Sequence, residues 1–338
     1  MVDLIIFAII FAASYFGVGT YRQWSAQNDF LAIPNERSSH TEPVPHGGGI
    51  VIVIICLIAY VGISLYLPGT YSWGYLTGAL IIALVSFLDD LYSIPFPWRL
   101  LVHSIAAILV IVDVDTWHGI TMLGHIKFGN FGYVLTFIWI VWMVNSYNFM
   151  DGIDGLAGLQ AVIAGLGWLV LGYILEMPAI FLFSGVIASA SLGFLVHNWS
   201  PAKIFMGDVG SAFLGFTFAS LPLLARTIAS KNPDLLPIAA VLFVWFFLFD
   251  SVVTLLRRAI RGEKIWQAHR EHLFQRLVQS GLTHRRVTVF YGVLAFILST
   301  FILLSVEFRE DIEIAILPVV IILTGLLLVA LGKRGVLA

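Results

Sequence analysis

Residues 145–158 read NSYNFMDGIDGLAG and carry Asn145, Asn148, Asp151 and Asp154, four oxygen-bearing side chains at steps of three. Residues three apart share a face wherever the chain is helical. A turn between apolar segments needs polar residues, with Gly152 and Gly155 to break the helix, but it does not need this regular set. Asp89 and Asp90 stand side by side in LDDLYSIPFPWR, where two negative charges at a helix end oppose its dipole. Asp208 lies in KIFMGDVGSAFLG. It has the character of a helix N-cap, and Gly207 and Gly210 beside it would let a ligand approach the backbone. His269 and His272 are again three apart, next to Arg270. Carboxylate and amide oxygens suit a hard divalent ion, Mg2+ first and Mn2+ as the alternative. No D-x-D-x-D-G loop is present, which excludes an EF-hand. Two histidines with no cysteine nearby, among several arginines, favour an anion over zinc. The combination describes phosphoryl transfer from a charged donor.

Membrane helices must hold these groups. The 338 residues are 59% hydrophobic and 11% charged, against about 25% charged in soluble domains. A net charge of −2 gives no reason to expect nucleic acid. Cys56, the one cysteine, lies in an apolar run and reads as a buried thiol. The N-terminal run has no basic leader and no small-residue cleavage site after it, so it reads as a retained helix. A bilayer core takes about 20 apolar residues per helix. Eleven candidate spans follow: 2–20, 48–67, 72–88, 100–114, 131–149, 156–175, 178–196, 209–225, 236–256, 288–306 and 312–331. The expected fold is therefore all-α, a polytopic integral membrane protein with one transmembrane catalytic domain over residues 1–338. Gly158, Gly165, Gly167, Gly185, Gly193 and Gly215 would allow close helix packing. The basic connection 257–287 contains an amphipathic stretch with Trp266, Leu273, Phe274, Leu277 and Val278 on its apolar side, ended by Gly281.

Alternate connections place fourteen Lys and Arg residues on one side and only Lys127, Arg226, Lys231 and Arg309 on the other. The richer side is expected to be cytoplasmic, with the N-terminus outside and the C-terminus inside. All five polar clusters fall on that side. Acidic residues barely follow the positive-inside rule, so carboxylates at the ends of apolar helices are functional candidates. A transporter of an anionic substrate is the rival reading. It would place its polar site near the midplane in paired broken helices, and the sequence shows no such pair. A receptor or scaffold would have no use for the aspartates. The residues alone point to a metal-dependent transferase or hydrolase that joins a cytosolic diphosphate compound to a lipid phosphate.

PNERSSHTEPVPHGGG, LDD, NSYNFMDGIDGLAG, NWSPAKIFMGDVGSAFLG and AHREHLFQRL occur in that order. Together they resemble the polyprenyl-phosphate N-acetylhexosamine-1-phosphate transferases over roughly residues 30–290. The resemblance implies transfer of sugar-1-phosphate from a UDP-N-acetylhexosamine to undecaprenyl phosphate, with release of UMP, at the cytoplasmic face of a bacterial inner membrane. It places Mg2+ on Asn148 and Asp208. It assigns catalytic positions to Asp89, Asp90, Asp151, Asp154, His269 and His272. Arg37, His40, Arg99, Asn145, Lys203 and Arg270 take substrate-binding positions, Arg99 towards the acceptor phosphate. The peptidoglycan branch carries consecutive histidines in the last motif. His-Arg-Glu-His here is closer to the branch that starts O-antigen or related surface polysaccharides. A homodimer is a further expectation.

Overall fold

A computed structural model describes residues 2–33, 42–121, 125–229, 233–264, 269–308 and 312–332. Arg37, His40, Trp266, Lys231 and Arg309 lie outside these residues. The helices are α1 (Val2–Gln27), α2 (Ile50–Tyr66), α3 (Trp73–Tyr92), α4 (Phe96–Val114), α5 (Phe131–Met150), α6 (Leu156–Ile174), α7 (Pro178–Asn198), α8 (Asp208–Ile228), α9 (Leu236–Phe243), α10 (Trp245–Ile260), α11 (Leu273–Gln279), α12 (His284–Phe308) and α13 (Ile312–Gly332). Two small antiparallel hairpins complete the fold: β1 (Leu31–Ala32) with β2 (Val44–Pro45), and β3 (Gly119–Thr121) with β4 (His125–Lys127).

Each expected span corresponds to one apolar helix or bent helix pair. Among the described residues, eight helices are long and apolar enough to cross a membrane, and nine if the bent pair counts as one span. The α2 helix has 17 residues and falls short of that length. The fold is that of an all-α polytopic membrane protein. Two expectations need correction. The short run at 100–114 starts earlier, at Phe96, with a proline in the first turn where its missing N–H costs nothing. The run at 236–256 is not one rod. It breaks at Val244, and α9 and α10 meet at 66°.

The α8 helix forms the axis of the bundle. Every residue from Val209 to Ala225 is buried, with α3 and α5 packed along it. Glycine makes these contacts close. A Cβ on Gly215 would stand 2.8 Å from the Met143 carbonyl, and one on Gly193 would stand 2.7 Å from that of Phe11. Nothing larger fits, as expected where membrane helices pack backbone to backbone. The outer helices α1 and α4 expose apolar side chains such as Ile5, Ile9, Ile108 and Val112, the surface a lipid environment requires.

At one end of the bundle, polar groups settle locally. Asp113 accepts hydrogen bonds from Ser72 Oγ (2.5 Å) and the Gly74 N–H (2.9 Å), and Arg226 donates to the Thr116 carbonyl. The connections after α1, α3, α5, α7 and α10 meet elsewhere, and they build the site.

Candidate active site

The α3 helix ends at Asp89 and Asp90, and Ser93 turns the chain away in a left-handed conformation. The Asp90 side chain is only 2% exposed. Its two oxygens accept the N–H groups of Asp208 (2.8 Å) and Val209 (3.1 Å), and His46 Nε2 lies 2.9 Å from Oδ1. Asp208 is therefore not the N-cap of α8. It is the first helical residue, after Gly207, and Asp90 from another helix supplies the capping carboxylate. That contact offsets the unfavourable charge Asp90 brings to the C-terminus of α3. Gly207 has a φ of 81°, and a Cβ there would meet Asp90 Oδ2 at 2.8 Å.

Asp89 accepts from the Ile94 N–H (2.6 Å) and from Arg99 Nη1 (2.5 Å). The same Nη1 reaches Asp208 Oδ2 at 3.1 Å. Arg99 thus bridges a well-buried carboxylate and one that is one-third exposed. Arg99 Nε and His46 Nδ1 are buried without a hydrogen-bond partner. These residues line a cleft of about 650 Å³. The remaining lining is mixed: Asp29 and Ser93 are polar, and Phe30, Leu31, Ile33, Leu91 and Ile94 are apolar.

The glycine triplet 47–49 is not the loose turn its composition suggests. Gly48 N–H donates to the Phe205 carbonyl (2.9 Å), Gly49 N–H to that of Met206 (2.8 Å), and Phe205 N–H to that of Pro45 (2.9 Å). A Cβ on Gly49 would stand 2.5 Å from the Gly210 Cα, so two bare backbones touch. This contact brings His46 to the carboxylates, and sequence reasoning missed His46. Its signal was the histidine directly before the triplet. Burial works against a charge on His46, but the hydrogen bond to Asp90 and the negative charges of Asp90, Asp208 and Asp151 together outweigh it and raise the pKa above the ordinary imidazole value.

Asp151 follows α5 and lies within electrostatic reach of His46, Asp208 and Asp90. Burial pushes its carboxyl up to about 7; His46 opposes the rise, and Asp208 and Asp90 add to it. Among the described residues its side chain has no hydrogen-bond or ion-pair partner. Asn148, one turn earlier, donates through Nδ2 to Ser211 Oγ (3.0 Å), which leaves its amide oxygen as an acceptor beside the first turn of α8. Asn145 turns back onto its own helix, donating to the Val141 carbonyl (2.7 Å). Asp154 belongs to a brace: His284 Nδ1 lies 3.2 Å from Oδ1, and the Ala202 N–H donates to Oδ2 (3.3 Å). Burial raises its pKa, but His284 and the hydrogen bonds around it hold the carboxyl below the usual range. Lys203 is exposed on the same connection, and it is not among the residues lining the cleft.

The histidine segment sits over the loop after α5. Ring centroids of Phe149 and His272 are 5.9 Å apart, and a Cβ on Gly152 would meet Phe274 at 2.9 Å. Leu273, Phe274 and Leu277 are buried, so the apolar face of α11 packs on protein. His272 is buried at 3% exposure, whereas His269 stays partly open and stacks on it at 4.9 Å. His269 Nδ1 accepts the Glu271 N–H (3.3 Å). Burial, with help from His272 and Arg258, lowers its pKa to about 4, so the ring is neutral at pH 7 and Nε2 carries the hydrogen. Two of the basic residues are already engaged. Arg258 pairs with Glu263 (2.8 Å) and Glu271 (2.6 Å), and Arg261 pairs with the same two acids. The positive field of the connection is smaller than a count of arginines suggests.

The donor set suits a hard cation. Among the described residues, no three His, Cys, Asp or Glu side chains come together as a complete metal cage. Mg2+ characteristically takes one or two carboxylates and completes its shell with water and substrate phosphates. Asp208, the unpartnered Asp151 and the Asn148 amide oxygen fit such an incomplete set.

An all-α membrane bundle with an acidic cleft where the connections after α1, α3 and α7 meet fits a membrane-embedded enzyme, and the comparisons agree. Residues 72–226 match the model of glycosyl transferase family 4. The chain is 28% identical over 276 residues to the probable undecaprenyl-phosphate N-acetylglucosaminyl 1-phosphate transferase of Bacillus subtilis, covering 79% of this chain and 74% of that one. It is 29% identical over 280 residues to the undecaprenyl-phosphate alpha-N-acetylglucosaminyl 1-phosphate transferase of Salmonella typhi, covering 79% and 74%. It is 28% identical over 366 aligned positions to the decaprenyl-phosphate N-acetylglucosaminephosphotransferase of Mycobacterium tuberculosis, covering 95% and 87%. The chain is thus similar to glycosyl transferase family 4 over residues 72–226, and over most of its length to transferases named for polyprenyl-phosphate acceptors and N-acetylglucosamine phosphate.

Proposed function

We propose that this protein transfers an N-acetylated hexosamine-1-phosphate from a UDP-sugar to undecaprenyl phosphate, releasing UMP and starting an O-antigen or related surface polysaccharide. A phosphate oxygen of the lipid attacks the donor's β-phosphorus. A new P–O bond forms as the bond from that phosphorus to the bridging oxygen breaks, and UMP leaves with the electron pair. The carrying observation is the cleft itself, where Asp89, Arg99, His46 and Asp208 share the lining with apolar Phe30, Leu31, Ile33, Leu91 and Ile94. Such a site suits a head that is a phosphate and a tail that is a hydrocarbon.

Arg99 receives the acceptor phosphate, and its unpartnered Nε–H adds a donor there. A lipid phosphate is already ionised at neutral pH, so the step does not need a strong base. Asp89 and Asp90 accordingly serve by holding Arg99, His46 and the start of α8 in place. Asn148 and Asp208, with Asp151 beside them, would hold Mg2+, or Mn2+ in its stead. Bound there, the ion would offset the charge that builds on the diphosphate as UMP leaves. His269 and Arg270 face the donor. The assembly spans the bacterial inner membrane eleven times, N-terminus outside and C-terminus inside, with the site on the cytoplasmic face, and it forms a homodimer. The motif His-Arg-Glu-His supports the surface-polysaccharide branch.

The test is UMP release by the purified protein with undecaprenyl phosphate and a panel of UDP-sugars. Lipid- and Mg2+-dependent release is expected from at least one N-acetylated sugar. Binding of UDP-sugars without UMP in every combination would refute the reading.

A further inference from the structure

Asp250 was not visible as a site residue because it sits inside an apolar run, yet it is 0% exposed and fully engaged. Oδ1 accepts from His272 Nδ1 (3.0 Å), the Leu273 N–H (2.9 Å) and Thr254 Oγ1 (3.2 Å). Oδ2 accepts from the Phe274 N–H (3.0 Å) and the Tyr291 hydroxyl (2.8 Å). One carboxylate thus ties α10, α12 and the first turn of α11 together. The His272 ring is held at one edge and by stacking: Nδ1 is held by Asp250, Phe274 stacks 5.8 Å away, and His269 stacks 4.9 Å away. His269 is the partly open member of this stack. Its position therefore depends on a ring whose position depends on Asp250.

We propose that Asp250 is a positioning residue for the donor side of the site, acting through His272 to fix His269 and the turn that carries Arg270. This rests on the transferase reading above. Among the described residues, the acceptor side, built on α3, α4 and the start of α8, shares no hydrogen bond with this anchor. The effect of Asp250 should therefore be one-sided.

The experiment compares Asp250→Asn, Tyr291→Phe and His272→Asn with the wild type in the full-length protein. Asp250→Asn keeps the shape but replaces one acceptor oxygen with a donor. Its KM for the UDP-sugar is expected to rise about tenfold or more, with the KM for undecaprenyl phosphate unchanged. Tyr291→Phe removes one of five donations and is expected to fold, with a donor KM raised about threefold. His272→Asn keeps a donor for Asp250 but deletes the ring under His269, so it should weaken donor use while leaving the loop docked. Equal changes in both KM values, or a fall in kcat alone, would overturn the proposal. Trypsin cleavage at Lys264 and Arg270 reads the anchor without catalysis. Cleavage in Asp250→Asn at least about tenfold faster than in wild type supports it, and an unchanged rate overturns it. If the wild type releases no UMP from any UDP-sugar, the transferase reading fails, and the protease arm still decides whether the anchor exists.

Discussion

Asp250 and Asp151 carry the same functional group in two neighbouring regions, and the protein treats them in opposite ways. Around Asp250, five donors surround one buried carboxylate. Around Asp151 there are none among the described residues, only other charges. The first region is complete on folding; the second would be completed by the cation proposed above. An unsatisfied carboxylate is costly, and a cation bound at the proposed site would relieve that cost. The contrast separates residues that shape the site from residues that use it.

The largest expected effect tests the cleft. Asp208→Asn should lower UMP release by about a thousandfold while the protein still folds, because it removes the proposed cation ligand and leaves the backbone caps of α8 on Asp90. Normal turnover in that variant would sink the metal assignment. Asp250→Ala should do the reverse: it strands His272 Nδ1, two N–H groups and two hydroxyls, and costs about 3–5 kcal/mol of stability. The thermal midpoint in detergent measures it, and an unchanged midpoint would erase the distinction between the two regions.

A subtler effect follows from the sign of the Asp151 shift. Its carboxyl, at about 7 in the folded chain, holds its proton more tightly than in the unfolded chain. The folded state therefore binds more protons than the unfolded state between about pH 4 and pH 7, and metal-free stability falls across that window as pH rises. Asp151→Asn should flatten the decline in melts recorded with EDTA, and wild type and variant should diverge most above pH 7. Below pH 7 a divalent ion must displace that proton. The apparent Mg2+ affinity should then weaken by up to about tenfold per pH unit on acidification, which isothermal titration would show. The smallest effect concerns Asp154, whose carboxyl is held below its usual range. Its contribution is present above the unfolded pKa and disappears as pH falls through the folded value. Asp154→Asn should cost about 1 kcal/mol at pH 7 and less at pH 3.

Much of this was legible in the sequence because hydropathy and charge placement are local. Apolar runs marked the spans, and Asp89, Asp90, Asp151 and Asp208 stood out because they interrupt or end them. Convergence of the five connections followed from basic residues in alternating loops. Other features were hidden because their partners are distant. Asp250 looks like a stray charge until Tyr291 and the start of α11 reach it. His46 gains meaning only when α3 delivers Asp90. The bend at Val244 has no Pro or Gly between Phe243 and Trp245 to announce it. Asn145 fitted the three-residue rhythm, but it faces the Val141 carbonyl, since spacing fixes a face without saying what that face meets.

The ladder between Gly48–Gly49 and Phe205–Met206 has a consequence for biogenesis. A nascent chain inserted as far as α7 already contains His46, Asp89, Asp90 and Arg99, yet the two N–H groups that Asp90 captures have still to be synthesised. Until the translocon releases α8, those charges have no axis to assemble around, so a ribosome stalled before residue 208 would hold a membrane-integrated but catalytically blank intermediate.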